Sequence, residues 1–180
     1  MGAKNSKSGL ILIYTGNGKG KTTAALGTAF RSIGYDWNVC IVQFIKGNWK
    51  YGEMESVKLV PNIELHQMGK GFCKIMGDDI PESEHRSAAE HALEFATEKM
   101  LSEKYELLIL DEVFVAISTG ILSEKKVIEF LNKKPNNMNL ILTGREATKK
   151  IMKIADLVTE MKEIKHPFQK GILSKKGIDY

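Results

Sequence analysis

The stretch TGNGKGKTTAALG, Thr15 to Gly27, decides how this chain is read. Gly20, Lys21 and Thr22 supply the end of the phosphate-loop pattern G-x-x-x-x-G-K-(S/T). The first glycine of that pattern would fall at position 15, where the chain has Thr15, and glycines stand instead at Gly16, Gly18 and Gly20. A triphosphate needs backbone N–H groups turned inward and a cation close by. Glycines permit the unusual dihedrals and the close approach. The apolar run LILIYT from Leu10 precedes the loop, and a helical pattern, Lys21 to Ile33, follows it. The positive end of that helix therefore faces the anion. Lys21 would reach the phosphates, and the Thr22 hydroxyl would ligate Mg2+.

Working outward, further apolar runs begin at Val39 (VCIVQF), Ile63 (IELHQM), Glu106 (ELLILDE), Asn139 (NLILTG) and Leu157 (LVTEMKEI). Between them lie helical patterns at Ser83 to Leu101, Ser123 to Lys133 and Glu146 to Ile154, with Ser83 and Ser123 as N-caps. Alternating buried strands and helices predict an α/β fold. The expected form is a single-domain P-loop NTPase-like (RecA-like), mostly parallel sheet of about six strands with helices on both faces. It spans residues 10–180, after a flexible N-terminal tail at 1–9. Ligands of such sheets bind beyond the carboxyl ends of the strands. Those positions hold Gln43 to Gly47, Asp111-Glu112 and Thr143-Gly144-Arg145. In YELLILDEV, Asp111 and Glu112 have the form of an acidic strand end that holds Mg2+. Asn132-Lys133-Lys134-Pro135 begins like a guanine-reading motif but puts Pro135 where the aspartate belongs, which favours ATP over GTP.

The 180 residues carry 26 basic and 22 acidic side chains, a net charge of +4, which suits an anionic ligand without demanding nucleic acid. Cys40 and Cys73 read as reduced thiols, and no signal peptide or bilayer-spanning run is present, so a cytoplasmic protein with no membrane partner is expected. His66, His85, His91 and His166 show no metal-ligand spacing and read as satisfied or solvent-facing. Trp49, Tyr51, Phe72 and Phe168 fall in loop-like stretches, as packing or stacking groups, and the Lys165 to Lys176 tail lacks the aromatic interleaving of a single-strand binder.

Taken in order, TGNGKGKTTAA, VQFIKG, Gly52-Glu53, MGKGF, LDE, LTGR and the terminal KGIDY resemble the P-loop type of corrinoid adenosyltransferase, over about Leu10 to Tyr180. A loop lacking the usual first glycine is itself a trait of that family. The resemblance implies that cobalt(I) of a reduced corrinoid, cobalamin or cobyrinic acid a,c-diamide, attacks the 5′ carbon of ATP and that inorganic triphosphate leaves. Cobalt(I) is a strong nucleophile, so the protein need only orient the reactants and neutralise the leaving group. In the family the triphosphate lies reversed relative to ordinary P-loop NTPases. Carried over by position, Gly16, Asn17, Gly18, Lys19, Gly20, Lys21, Thr22, Thr23 and Arg145 would bind ATP. Thr22 and Glu112 would meet Mg2+ with Asp111 in support, and Lys21 and Glu112 would be the catalytic pair. Phe72, Lys46 and Glu53 would serve the corrinoid, and Gln43 would support the same crevice. A homodimer and a flavoprotein reductant are the implied partners.

The chain departs from the family at Gly71-Phe72-Cys73-Lys74, where the usual motif is G-F-T-W and its aromatic residues help to displace the lower cobalt ligand. Nine residues before Leu10 are also too few for the N-terminal helix that covers the site in some members. Two other functions fit parts of the pattern. Lys21, Thr22, Asp111 and Glu112 would also serve a P-loop ATPase or small-molecule kinase, and the fold grammar with its positive charge would also suit a nucleic-acid-binding module.

Overall fold

The computed structural model describes residues 8–47, 50–71, 73 and 78–180. Of the residues singled out above, Trp49, Phe72 and Lys74 lie outside them, as does most of the 1–9 tail. Gly9 is tied to the body: its N–H donates to the Asn136 carbonyl at 2.6 Å, and its own carbonyl accepts from Lys134 Nζ at 2.9 Å.

Six strands form one sheet in which every pairing is parallel: β1 (Ile11–Thr15), β2 (Val39–Gln43), β3 (Ile63–Gln67), β4 (Leu107–Asp111), β5 (Asn139–Thr143) and β6 (Leu157–Glu160). Their order across the sheet is β3-β2-β4-β5-β1-β6. The helices are α1 (Lys21–Ile33), α2 (Gly52–Ser56), α3 (Glu82–Leu101), α4 (Val113–Ser118), α5 (Glu124–Asn132) and α6 (Lys149–Ile154). The expected fold class is observed, with the sheet wholly rather than mostly parallel.

Strand order and handedness together decide which face each helix covers. The connections β1 to β2 and β2 to β3 run one way across the sheet, and the later three run the other way. Right-handed crossovers in opposite directions place their helices on opposite faces. The packing follows that rule. Ala25 and Ala29 of α1 pack with Val39, Ile41, Leu107, Ile109 and Ile141. Ala92 of α3, Phe114 of α4, Phe130 of α5 and Ile151 of α6 pack with the alternate strand residues, Cys40, Val42, Leu108, Leu110, Leu140 and Leu142. One face thus carries four helices and the other chiefly α1. The small alanines let α1 lie close to the sheet. Part of that thinly covered face remains an apolar groove lined by Leu12, Tyr35, Trp37, Leu107 and Ile141.

Two helix starts differ from expectation. α3 begins at Glu82 behind Pro81, so Ser83 is not its cap but sits in its first turn, where Glu82 and Glu84 suit the helix dipole. α6 begins only at Lys149, because Glu146 takes a left-handed φ of 60° and Thr148 caps the helix by accepting from the Ile151 N–H. The short helices α2 and α4 have no counterpart in the sequence pattern. Ser123 does stand at the N-cap position of α5.

Core burial predicts a sharp contrast between two phenylalanines. Phe114 is fully buried, whereas Phe30 on α1 is 71% exposed. Phe114→Ala is expected to cost about 3–5 kcal/mol in urea unfolding, and Phe30→Ala to stay within about 0.5 kcal/mol. Equal losses would contradict the packing described.

Candidate functional site

The site is built at the carboxyl ends of β1, β2, β4 and β5. In the phosphate loop, Gly16 and Gly20 have φ values of 99° and 106°, left-handed conformations that glycine adopts without cost. Gly16 and Gly18 are also required sterically. A Cβ at Gly16 would stand 2.4 Å from the Met161 carbonyl oxygen, and one at Gly18 2.7 Å from that of Lys162. The chain leaving β6 runs against the loop there: Gly18 N–H donates to Met161 O at 2.7 Å, and Met161 N–H donates to Thr15 O at 2.8 Å. Thr15 is therefore no defective glycine. It is the buried last residue of β1, and its Oγ1 accepts from the Ala147 N–H at 3.1 Å, fastening the loop to the segment after β5.

Lys21 is buried, and its Nζ donates to the carbonyls of Gly16 and Gly18, both at 2.8 Å. Burial holds its pKa below the usual lysine value; Glu112 opposes that shift and Arg145 adds to it. Lys19 is ion-paired with Asp179 near the chain's end, while Asn17 and Thr23 are exposed.

Asp111 is the centre of the constellation. Its Oδ1 accepts from Thr22 Oγ1 and from Thr143 Oγ1, each at 2.8 Å, and its Oδ2 accepts from Gln43 Nε2 at 3.1 Å. Lys46 Nζ lies 3.8 Å from Oδ2 and is also paired with Glu53, while its charge sits 4.2 Å from the centre of the Tyr51 ring. Burial pushes the Glu53 carboxyl up, but the hydrogen bond and charge of Lys46 prevail and hold it below its ordinary value. Gln43, Lys46, Glu53 and Asp111 thus come together from three separate parts of the sequence.

Glu112 occupies a left-handed conformation with φ 61°, and its N–H donates to Thr143 Oγ1 at 2.9 Å. Burial, then the neighbouring Asp111 charge, pushes its carboxyl above the ordinary glutamate value; Lys21, Lys46 and Arg145 resist. Arg145 is exposed beside this group, close enough for its charge to act on Lys21 and Glu112. Among the described residues, two buried side-chain oxygens have no hydrogen-bond partner: Glu112 Oε2 and Gln43 Oε1. A buried acceptor left so costs about 1–3 kcal/mol.

That donor set fits Mg2+. The ion takes oxygen ligands and keeps several of its waters, and such waters would supply the donors that Glu112 Oε2 and Gln43 Oε1 lack. Thr22 gives its proton to Asp111, which leaves the lone pairs of its hydroxyl open to a cation. Asp111 already accepts three hydrogen bonds from protein donors and suits a supporting place. Sequence reasoning located every one of these strand-end positions except Thr143, which it named only as part of a strand end. The pairing of Gln43 with Asp111 in the sheet register was the signal that spacing alone does not carry.

Residues 7–180 match the protein family described as ATP:corrinoid adenosyltransferase BtuR/CobO/CobP. The chain is 35% identical over 172 residues to the corrinoid adenosyltransferase of Escherichia coli K12, covering 96% of this chain and 86% of that protein. It is 38% identical over 173 residues to the corrinoid adenosyltransferase CobA of Salmonella typhimurium LT2, with the same coverage. It is 36% identical over 183 residues to a corrinoid adenosyltransferase of a Sinorhizobium species, covering 100% of this chain and 84% of that protein.

The raised Glu112 carboxyl makes a prediction of definite sign. Folded Glu112 binds a proton more readily than unfolded Glu112, so its contribution to stability falls as pH rises from the ordinary glutamate value through the raised one. Above that window, Glu112→Gln removes the penalty of burying the charge. The ligand-free variant is expected to melt above the parent at pH 8. The difference should vanish in acid, and the variant should lose most of the Tm gain that MgATP gives the parent. A variant that melts below the parent at pH 8 would contradict this account.

Proposed function

The chain belongs to the ATP:corrinoid adenosyltransferase family, and on that premise we propose that it transfers the 5′-deoxyadenosyl group of ATP to cobalt(I) of a reduced corrinoid, releasing inorganic triphosphate. Cobalamin or cobyrinic acid a,c-diamide is the acceptor, in cobalamin biosynthesis or salvage. The observation that carries this reading is Lys21, held on its own loop carbonyls beside the Thr22–Asp111 hydrogen bond. The side chains around it are threonines, carboxylates, an amide and cations, with no Ser–His or Cys–His pair beside it among the described residues. This is an apparatus for holding a polyanion, and it suits a reaction whose nucleophile comes with the substrate.

In the proposed reaction the cobalt(I) electron pair forms a bond to the 5′ carbon, and the C–O bond to the triphosphate breaks with its electrons going to the leaving oxygen. Lys21 exchanges loop carbonyls for phosphate oxygens and neutralises charge as it develops on the triphosphate. Loop N–H groups, Lys19 and Arg145 bind the remaining oxygens. Mg2+, held by Thr22 and Glu112 with Asp111 in support, would supply further charge neutralisation. Gln43, Lys46 and Glu53 hold the far wall of the crevice, Lys46 and Glu53 toward the corrinoid with Phe72. A flavoprotein delivers the electron, and the chain works as a homodimer; the exposed apolar groove beside α1 supports pairing. Among the described residues, no helix is long and apolar enough to cross a membrane.

The test is anaerobic incubation with MgATP and chemically reduced cobalamin, following the visible spectrum and chromatographing the phosphates. Adenosylcobalamin with one equivalent of triphosphate is expected. ADP and phosphate with the corrinoid intact would replace this reading with a P-loop hydrolase or kinase. Lys21→Ala is expected to lower kcat about 100- to 1000-fold, and near-normal turnover would remove the lysine from its assigned role.

A further inference from the structure

Outside the phosphate crevice, one group of side chains has ligand chemistry that adenosyl transfer does not use. Cys73, Asp78 and His85 bring a thiol sulfur, a carboxylate oxygen and a ring nitrogen within 4.8 Å of one another. Cys73 is 4% exposed and His85 2% exposed. His85 lies in the first turn of α3, and its Nε2 is 2.9 Å from Asp78 Oδ2. The histidine that reads as unremarkable in sequence is thus buried against an acid and a cysteine that approach from the segment before the helix.

A second cluster, Cys40, Glu64 and His66, has a similar composition; the acid of the first is itself hydrogen-bonded, Asp78 Oδ1 accepting from the Ile80 N–H at 3.2 Å. Burial pushes the Cys40 thiol up to about 12, away from the thiolate that a metal requires. Glu64 Oε2 already accepts from Lys99 and from Tyr105, both at 2.8 Å, so its charge is spent on a cation of the protein.

We propose that Cys73, Asp78 and His85 bind one Zn2+ ion. Mg2+ and Ca2+ require oxygen ligands, whereas zinc accepts sulfur, nitrogen and oxygen together. On binding, the Cys73 thiol releases its proton to solvent, His85 binds as neutral imidazole through Nε2, and Asp78 binds as carboxylate. The ion's two positive charges then meet one thiolate and one carboxylate, and the assembly is neutral. That neutrality suits a site this buried. Three protein ligands leave the fourth tetrahedral position to water. The ion would tie Cys73 and Asp78 to α3. The site belongs to this chain's own departure from the family motif, since Cys73 stands where that motif has threonine, and it does not rest on the adenosyl-transfer reading.

The test uses the full chain without a histidine tag, stripped with a chelator, in excess Mg2+ and without ATP or corrinoid. Excess Mg2+ occupies the oxygen site at the phosphate loop. Titration with Zn2+ is expected to leave one zinc per chain after gel filtration. Titration with Co2+ is expected to give a thiolate-to-cobalt charge-transfer band in the near ultraviolet. Cys73→Ser, which keeps the side chain's size and therefore the fold, should abolish the band and weaken zinc binding at least about 100-fold. Cys40→Ser should keep both. The proposal is overturned if the parent retains no zinc, if the band persists in Cys73→Ser, or if it disappears in Cys40→Ser.

Discussion

The functional edge of this protein depends on one buried carboxylate. Asp111 is 1% exposed, at the end of a central strand. An ion in that position costs several kcal/mol unless it is paired and hydrogen-bonded. The chain meets the cost with donors drawn from separate elements: Thr22 from α1, Thr143 from β5, Gln43 from β2, and Lys46 from the loop beyond β2. Each of those partners is placed by the same demand. Thr22 is oriented with its lone pairs free, Lys46 is drawn in with Glu53 and so with α2, and Thr143 holds the backbone of Glu112 as well. The anion organises its own surroundings, and those surroundings are what a nucleotide and a metal ion would meet.

Most of the fold was legible because its signals are local. The inner strands β1, β2, β4 and β5 are largely buried and show as apolar runs, and all six strands, the exposed or half-buried edges β3 and β6 included, lie within the runs that sequence marks. The loop announced itself through Lys21 and Thr22 for the same reason. What could not be read was anything requiring a distant partner. Gly16 and Gly18 look like concessions to a phosphate, but the backbone of Met161 and Lys162 demands them too. Thr15 looks like an omission until Ala147 is seen bonded to it. Ser83 has the chemistry of a cap, yet Pro81 with its fixed φ starts the helix earlier. α4 was missed because Val113–Ser118 is a short apolar stretch that resumes directly after Asp111-Glu112, and only the left-handed turn at Glu112 sets it apart from the strand.

The metal-like cluster at Cys73 shows the same limit at a smaller scale. Cys73, Asp78 and His85 stand at no regular spacing, and only His85 belongs to a helix pattern. Proximity there comes from the way the chain enters α3, which no periodicity encodes. The strand-end constellation and this cluster also differ in kind: hard oxygen donors gather in the first, while sulfur and nitrogen join in the second.

The position of β1 has a consequence in time as well as in space. β1 lies between β5 and β6, and its entrance is bonded to a residue 129 positions further on. A ribosome therefore delivers the phosphate loop more than a hundred residues before the strands that flank it. Until then the loop lacks both the seat at Ala147 and the wall at Met161. Such distant parallel pairings form slowly. The first part of the site to be made is thus among the last to be assembled, and the loop cannot take up this geometry before β5 and β6 have been translated.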